Sequence, residues 1–142
     1  MSDREQILII DDDSDLVEAI RILLESNGYQ ANAAKDAQAG LSKVQTDRPD
    51  LILVDVMMPT GTEGFHFVWK LRNLPDEYFR NVPIIVLTAI HEKTNLLFYP
   101  DSGDGTYQAG EYLPVQDFLD KPIDPNQLLT RIQRVLAASR KV

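Results

Sequence analysis

Ile7-Leu8-Ile9-Ile10 runs directly into Asp11-Asp12-Asp13, and Leu51-Ile52-Leu53-Val54 runs directly into Asp55. Short aliphatic runs of this kind read as strands buried on both faces. In an open parallel sheet, the crevice that takes ligands lies beyond the carboxyl ends of the strands. Two strands that end on aspartate therefore aim carboxylates at one place. Carboxylates gathered without a counter-charge repel one another, so such a cluster calls for a bound cation or a lysine. Lys121 lies further along the chain.

Outward from these two runs, strand and helix patterns alternate. Asp13 or Ser14 can cap a helix whose apolar residues Leu16, Val17, Ile20, Leu23 and Leu24 recur at helical spacing, and Asn27-Gly28 ends it. Tyr29, Ala31 and Ala33 alternate with polar residues as a second strand. Asp36 opens a helix carrying Ala37, Leu41 and Val44, closed by Arg48-Pro49. After the third strand, Pro59, Gly61 and Gly64 mark a loop, and Phe65, Val68, Leu71 and Leu74 mark a third helix. Pro83 introduces a fourth strand, Ile84 to Thr88, and Phe118-Leu119 sits in a fifth. Asp124-Pro125 reads as an N-cap with proline at the first helical position, and Leu128, Leu129, Ile132, Val135 and Leu136 give the last helix its buried face. Alternation of this kind implies an α/β protein with a parallel sheet, helices on both faces and right-handed crossovers.

Composition narrows the function. A chain of 142 residues fits one domain, 1–142, with a sizeable core. A net charge of -8 argues against a nucleic-acid or anionic-membrane binder and suits a divalent cation or a basic partner. The chain has no cysteine, which excludes disulfides and thiolate chemistry. Residues 1–6 lack the apolar stretch of a signal peptide, and no run reaches the length of a membrane span. The expectation is a cytoplasmic protein.

The chain resembles the receiver domain of bacterial two-component response regulators, including the single-domain chemotaxis-type proteins. The resemblance rests on four elements in family order: Ile7 to Asp13, Asp50 to Pro59, Pro83 to Ala89, and Phe118-Leu119-Asp120-Lys121-Pro122. It implies a flavodoxin-like, doubly wound five-stranded parallel sheet with strand order 2-1-3-4-5 and its switch point between the first and third strands. It implies that Asp55 is the phosphoacceptor, taking a phosphoryl group from a histidine kinase or phosphotransfer protein. Mg²⁺ would be held by Asp11, Asp12, Asp55 and the backbone carbonyl of Met57. Lys121 would pair with a phosphoryl oxygen, Thr88 would donate a hydrogen bond to another, and Phe118 occupies the position of the switch aromatic. Such a domain catalyses only its own phosphorylation and dephosphorylation.

Each residue alone has a plainer reading. Asp13 reads as a helix-capping acid, Thr88 as a β-favouring residue, Lys121 as a solvated turn residue and Phe118 as core packing. His66 and His91 have no partner at metal-ligand spacing, and Trp69 reads as helix packing. The chain also departs from the family. The loop between Pro59 and Gly64 is a residue longer than the common pattern. The 33 positions from Thr88 to Lys121 exceed the usual spacing, with the added material around Pro100 to Thr106. Residues 89–116 are therefore expected to form an insertion that replaces or remodels the helix the family usually carries there. Asp101 and Asp104 lack the spacing of an EF-hand loop. Tyr99, Tyr107 and Tyr112 would anchor a downstream protein or a second copy of the chain.

Output is expected through protein contact, since no effector domain follows Arg140-Lys141-Val142. Two rivals share the fold. A Mg²⁺-dependent aspartyl phosphatase of the haloacid dehalogenase type wants a second Asp two residues past its nucleophile, where this chain has Met57. A flavodoxin-like cofactor binder wants a phosphate-cradling loop after the first strand, where this chain has three carboxylates.

Overall fold

The computed structural model describes residues 4–55, 63–88 and 115–140. Five parallel strands form one sheet: β1 (Gln6–Ile10), β2 (Gln30–Ala34), β3 (Leu51–Asp55), β4 (Ile84–Thr88) and β5 (Asp117–Asp120). Their order is β2-β1-β3-β4-β5, as the resemblance implies. The helices are α1 (Ser14–Ser26), α2 (Ala37–Asp47), α3 (Glu63–Arg72), α4 (Glu77–Asn81) and α5 (Pro125–Arg140).

Because side chains alternate along a strand, each strand feeds two cores. Leu8, Ile10, Ile52, Val54, Ile84 and Val86 face one way and pack with Val44 of α2, Phe67, Val68 and Leu71 of α3, and Phe79 of α4. Ile7, Ile9, Leu51, Leu53, Ile85, Leu87 and Leu119 face the other way and pack with Ile20 and Leu24 of α1 and with Leu128, Ile132 and Leu136 of α5. The unbroken aliphatic runs Ile7 to Ile10 of β1 and Leu51 to Val54 of β3 follow, since neither face meets water there.

The helix ends follow the chemistry of their sequence. Asp13 caps α1, its carboxylate accepting from the amides of Asp15 and Leu16, and Gly28 carries the positive φ of 92° that turns the chain into β2. Asp36 caps α2, accepting from the Ala39 amide, and Arg48 closes it in the left-handed region. Asp124 accepts from the Asn126 amide at the start of α5.

Three details differ from the sequence reading. Phe67, absent from the apolar set read for the third helix, is buried in the α3 core, and Leu74 lies past the helix, only partly buried. The Phe65 side chain lies outside the described residues. Ala34 is buried as well as Ala31, because helices cover both faces of β2. The short helix α4 has no counterpart in the sequence reading. Of the expected insertion, residues 89–114 lie outside the described residues.

Candidate functional site

β1 and β3 are neighbours in register, Ile10 opposite Val54, so Asp11 and Asp55 emerge together at the carboxyl end of the sheet. Both are only 2% exposed, whereas Asp12 faces solvent. Oxygens of all three carboxylates lie within 4.8 Å of one another. That is close enough for one cation to be held by all three.

Lys121 reaches this cluster from the turn after β5, where the Lys121–Pro122 peptide is cis. Its Nζ donates to Asp11 Oδ2 at 3.1 Å and pairs with Asp55 Oδ2 at 3.4 Å. Asp11 Oδ1 accepts from the Asp13 amide at 3.0 Å. Burial raises the Asp11 carboxyl above its ordinary value, and the charge of Asp55 adds to the rise, against the lowering by the Asp13 amide and Lys121. Burial would lower the Lys121 ammonium, but Asp55 and Asp11 together outweigh it and hold its pKa above the usual lysine value. One ammonium facing two buried carboxylates and an exposed third leaves net negative charge. The donor set is all oxygen, the preference of a hard divalent cation.

The other expected residues fall into three groups. Thr88 ends β4 opposite Asp120, one position beyond the Asp55–Leu87 pair, so its backbone belongs to the same end of the sheet. Phe118 is half-buried on β5 against the α3 side of the core. Met57, His91, Tyr99, Asp101, Asp104, Tyr107 and Tyr112 lie outside the described residues. Asp13 is a cap, His66 is exposed on α3, and Trp69 packs against the core, each as read from the sequence.

Two arrangements around β5 were not read from the sequence. Arg131 of α5 pairs with Asp117 at 2.9 Å and donates to the Phe118 carbonyl at 3.2 Å, while Asp117 accepts from the Phe118 amide. Arg72 of α3 and the Ile84 amide converge on the Gln116 side chain. Both join residues distant in sequence, and no local pattern announces such a pair.

Residues 7–133 match the response regulator receiver domain, and the chain belongs to that family. Among curated relatives, the phosphate regulon transcriptional regulatory protein PhoB of Pseudomonas aeruginosa is 34% identical over 130 residues, 92% of this chain and 51% of that protein. The transcriptional regulatory protein CseB of Streptomyces coelicolor is 32% identical over 136 residues, 96% of this chain and 51% of that protein. The chain thus spans about half the length of the curated relatives it matches. Among solved structures, the chemotaxis response regulator CheY4 of Vibrio cholerae superposes with a TM-score of 0.72 at 29% identity, covering 93% of this chain and 98% of that one. A CheY-like receiver domain protein of Methanospirillum hungatei gives 0.75 at 25% identity, covering 97% and 98%. The protein is a signalling receiver of the response-regulator type. No helix among the described residues is long and apolar enough to cross a membrane.

Proposed function

We propose that Asp55 is the phosphoacceptor and that Asp11, Asp12 and Asp55 hold the Mg²⁺ the reaction needs. The observation that carries this reading is the convergence of three carboxylates and one lysine at the carboxyl end of the sheet. An Asp55 carboxylate oxygen forms the new bond to phosphorus as the phosphorus–nitrogen bond of a donor phosphohistidine breaks and its electron pair returns to the imidazole. Asp11, fixed by the Asp13 amide, anchors the site from β1. Lys121, already beside Asp55, supplies a point charge for a phosphoryl oxygen. Bound Mg²⁺ would neutralise charge that develops on the phosphoryl oxygens. Thr88 as hydrogen-bond donor, the Met57 carbonyl as a further ligand and Phe118 as the switch aromatic belong to the same proposal.

The donor is a histidine kinase or phosphotransfer protein, and the output is contact with a downstream protein in the cytoplasm. The phosphatase and flavodoxin-type alternatives are not favoured, given Met57 after Asp55 and three carboxylates after β1.

Intact mass after incubation with acetyl phosphate and Mg²⁺ tests the reading. The wild type should gain one phosphoryl group, and Asp55→Asn should gain none. Asp12→Ala should fold normally yet take up nothing, since it lacks a metal ligand on the solvent side. An unmodified wild type with metal present would sink the assignment of Asp55, and normal uptake by Asp12→Ala would sink that of the metal site.

A further inference from the structure

Lys121 is delivered by β5, which has four residues and lies at the edge of the sheet. A short turn fixes the register of the strand it leads into, but residues 89–116 separate β4 from β5, and a connection of that length specifies little. Burial of Leu119 forbids a one-residue slip, which would turn the strand over, and four ladder pairs from Ile85–Asp117 to Thr88–Asp120 set the register. A four-residue ladder at the sheet edge still needs its entry anchored.

Gln116, the residue before β5, anchors it. Its amide donates to the Ile84 carbonyl at 2.9 Å, and its side-chain Oε1 accepts from the Ile84 amide at 2.7 Å. Both backbone polar atoms of Ile84, a fully buried residue, are thereby engaged by one residue. Arg72 Nη2 donates to the same Oε1 at 3.4 Å, and Arg72 Nη1 donates to the Phe79 carbonyl at 3.0 Å. The amide side chain is thus held by α3 as well as by β4. Arg131, by contrast, ties β5 to α5 and not to β4.

We propose that Gln116 is a positioning residue, anchoring the entry of β5 to β4 and thereby fixing where Lys121 stands against Asp11 and Asp55. The proposal rests on the reading of Lys121 as a phosphoryl partner. The Lys121–Asp55 separation is already 3.4 Å, so fraying of the entry to β5 would loosen that pair further. The metal ligands sit on β1 and β3 and would not move with β5.

Gln116→Leu keeps the bulk and removes the acceptor, whereas Gln116→Glu keeps acceptor oxygens facing Arg72. Three measurements on the whole chain, well below its melting temperature, decide the matter: the rate of phosphoryl uptake from acetyl phosphate at saturating Mg²⁺, Mg²⁺ affinity by titration calorimetry, and amide exchange at Ile84 and Leu119. In Gln116→Leu the uptake should slow by about tenfold or more, the cost of misplacing one reacting group. The two amides should exchange faster, Mg²⁺ affinity should not weaken, and Gln116→Glu should recover most of the rate. A merely structural role would not separate uptake from metal affinity in this way. Wild-type uptake in Gln116→Leu, or equal loss in both variants, overturns the proposal. If the wild type itself takes up no phosphoryl group, the phosphoacceptor reading fails separately. Amide exchange alone then decides, and unchanged protection of Leu119 in Gln116→Leu overturns the positioning role.

Discussion

Asp11 and Asp55 are buried side by side with one lysine between them, an arrangement that favours binding at the expense of stability. Removing Asp55 leaves the Asp11–Lys121 pair intact and takes away a repelling charge. Asp55→Ala should therefore melt at an equal or higher temperature than wild type in metal-free buffer, by the equivalent of about 1 kcal/mol. The sign of the pH dependence follows from Asp11. Its folded pKa is raised above 3.8, so its contribution to stability is fully present below pH 3.8 and is lost as pH rises through the folded value. The gap in melting temperature between Asp55→Ala and wild type should widen across that window, and Mg²⁺ should narrow it. A variant that melts markedly lower would make Asp55 a structural residue. These positions were legible in the sequence because each aspartate closes a visible aliphatic run. The need for a lysine was legible in the cluster's charge, but it took the family's motif order to give Lys121 its phosphoryl role, since its partner Asp11 stands at the far end of the chain.

At the scale of elements, strands and long helices declare themselves by periodicity, and all five strands lie where the sequence placed them. The five-residue helix α4 does not, because it is too short to show a helical period. Tertiary contacts hold it instead. Tyr78 donates its hydroxyl to the Pro49 carbonyl at 2.6 Å, and Arg48 lies over the rings of Tyr78 and Phe79 while pairing with Asp76 at 2.7 Å. Tyr78→Phe should lower stability by about 1 kcal/mol in a urea titration, the net worth of one part-buried hydrogen bond. Burial pushes the Tyr78 hydroxyl well above the ordinary tyrosine value, so it should be the last of the phenols described here to titrate in an alkaline absorbance scan. Ionisation of Tyr78 at the ordinary tyrosine value would show that α4 is not docked against Pro49.

Across the molecule, the doubly wound plan was legible from the alternation of strand and helix, and its tolerances were not. Gly40 of α2 shows why. A Cβ added there would meet Ile10 Cδ1 at 2.5 Å and Cγ1 at 2.9 Å, so α2 lies almost against the Ile10 side chain of β1. Gly40→Ala gains helix propensity but forces Ile10 or the helix to shift. It should destabilise by about 1–3 kcal/mol, seen as an earlier midpoint in thermal melting. An unchanged midpoint would mean that Ile10 relaxes freely.

Because all five strands point the same way, the sheet has two unlike poles. The acidic cluster occupies one, where a single lysine faces three carboxylates. The other is riveted: Gln6 and Asp50 exchange backbone and side-chain bonds at 2.8 Å, Ile52 donates to the Pro83 carbonyl, and the Arg48, Tyr78 and Arg72 contacts gather there. Amide exchange should map this as a gradient, slow at Ile52 and Ile84 and faster at Asp55 and Thr88, with the gradient flattened by Mg²⁺. A charge arriving at the acidic pole would then change the balance around Lys121 while the far pole stays tied. The expected picture is a hand fan with a fixed pin: on adding Mg²⁺, exchange at Asp55 and Thr88 should respond while exchange at Ile52 and Ile84 holds still.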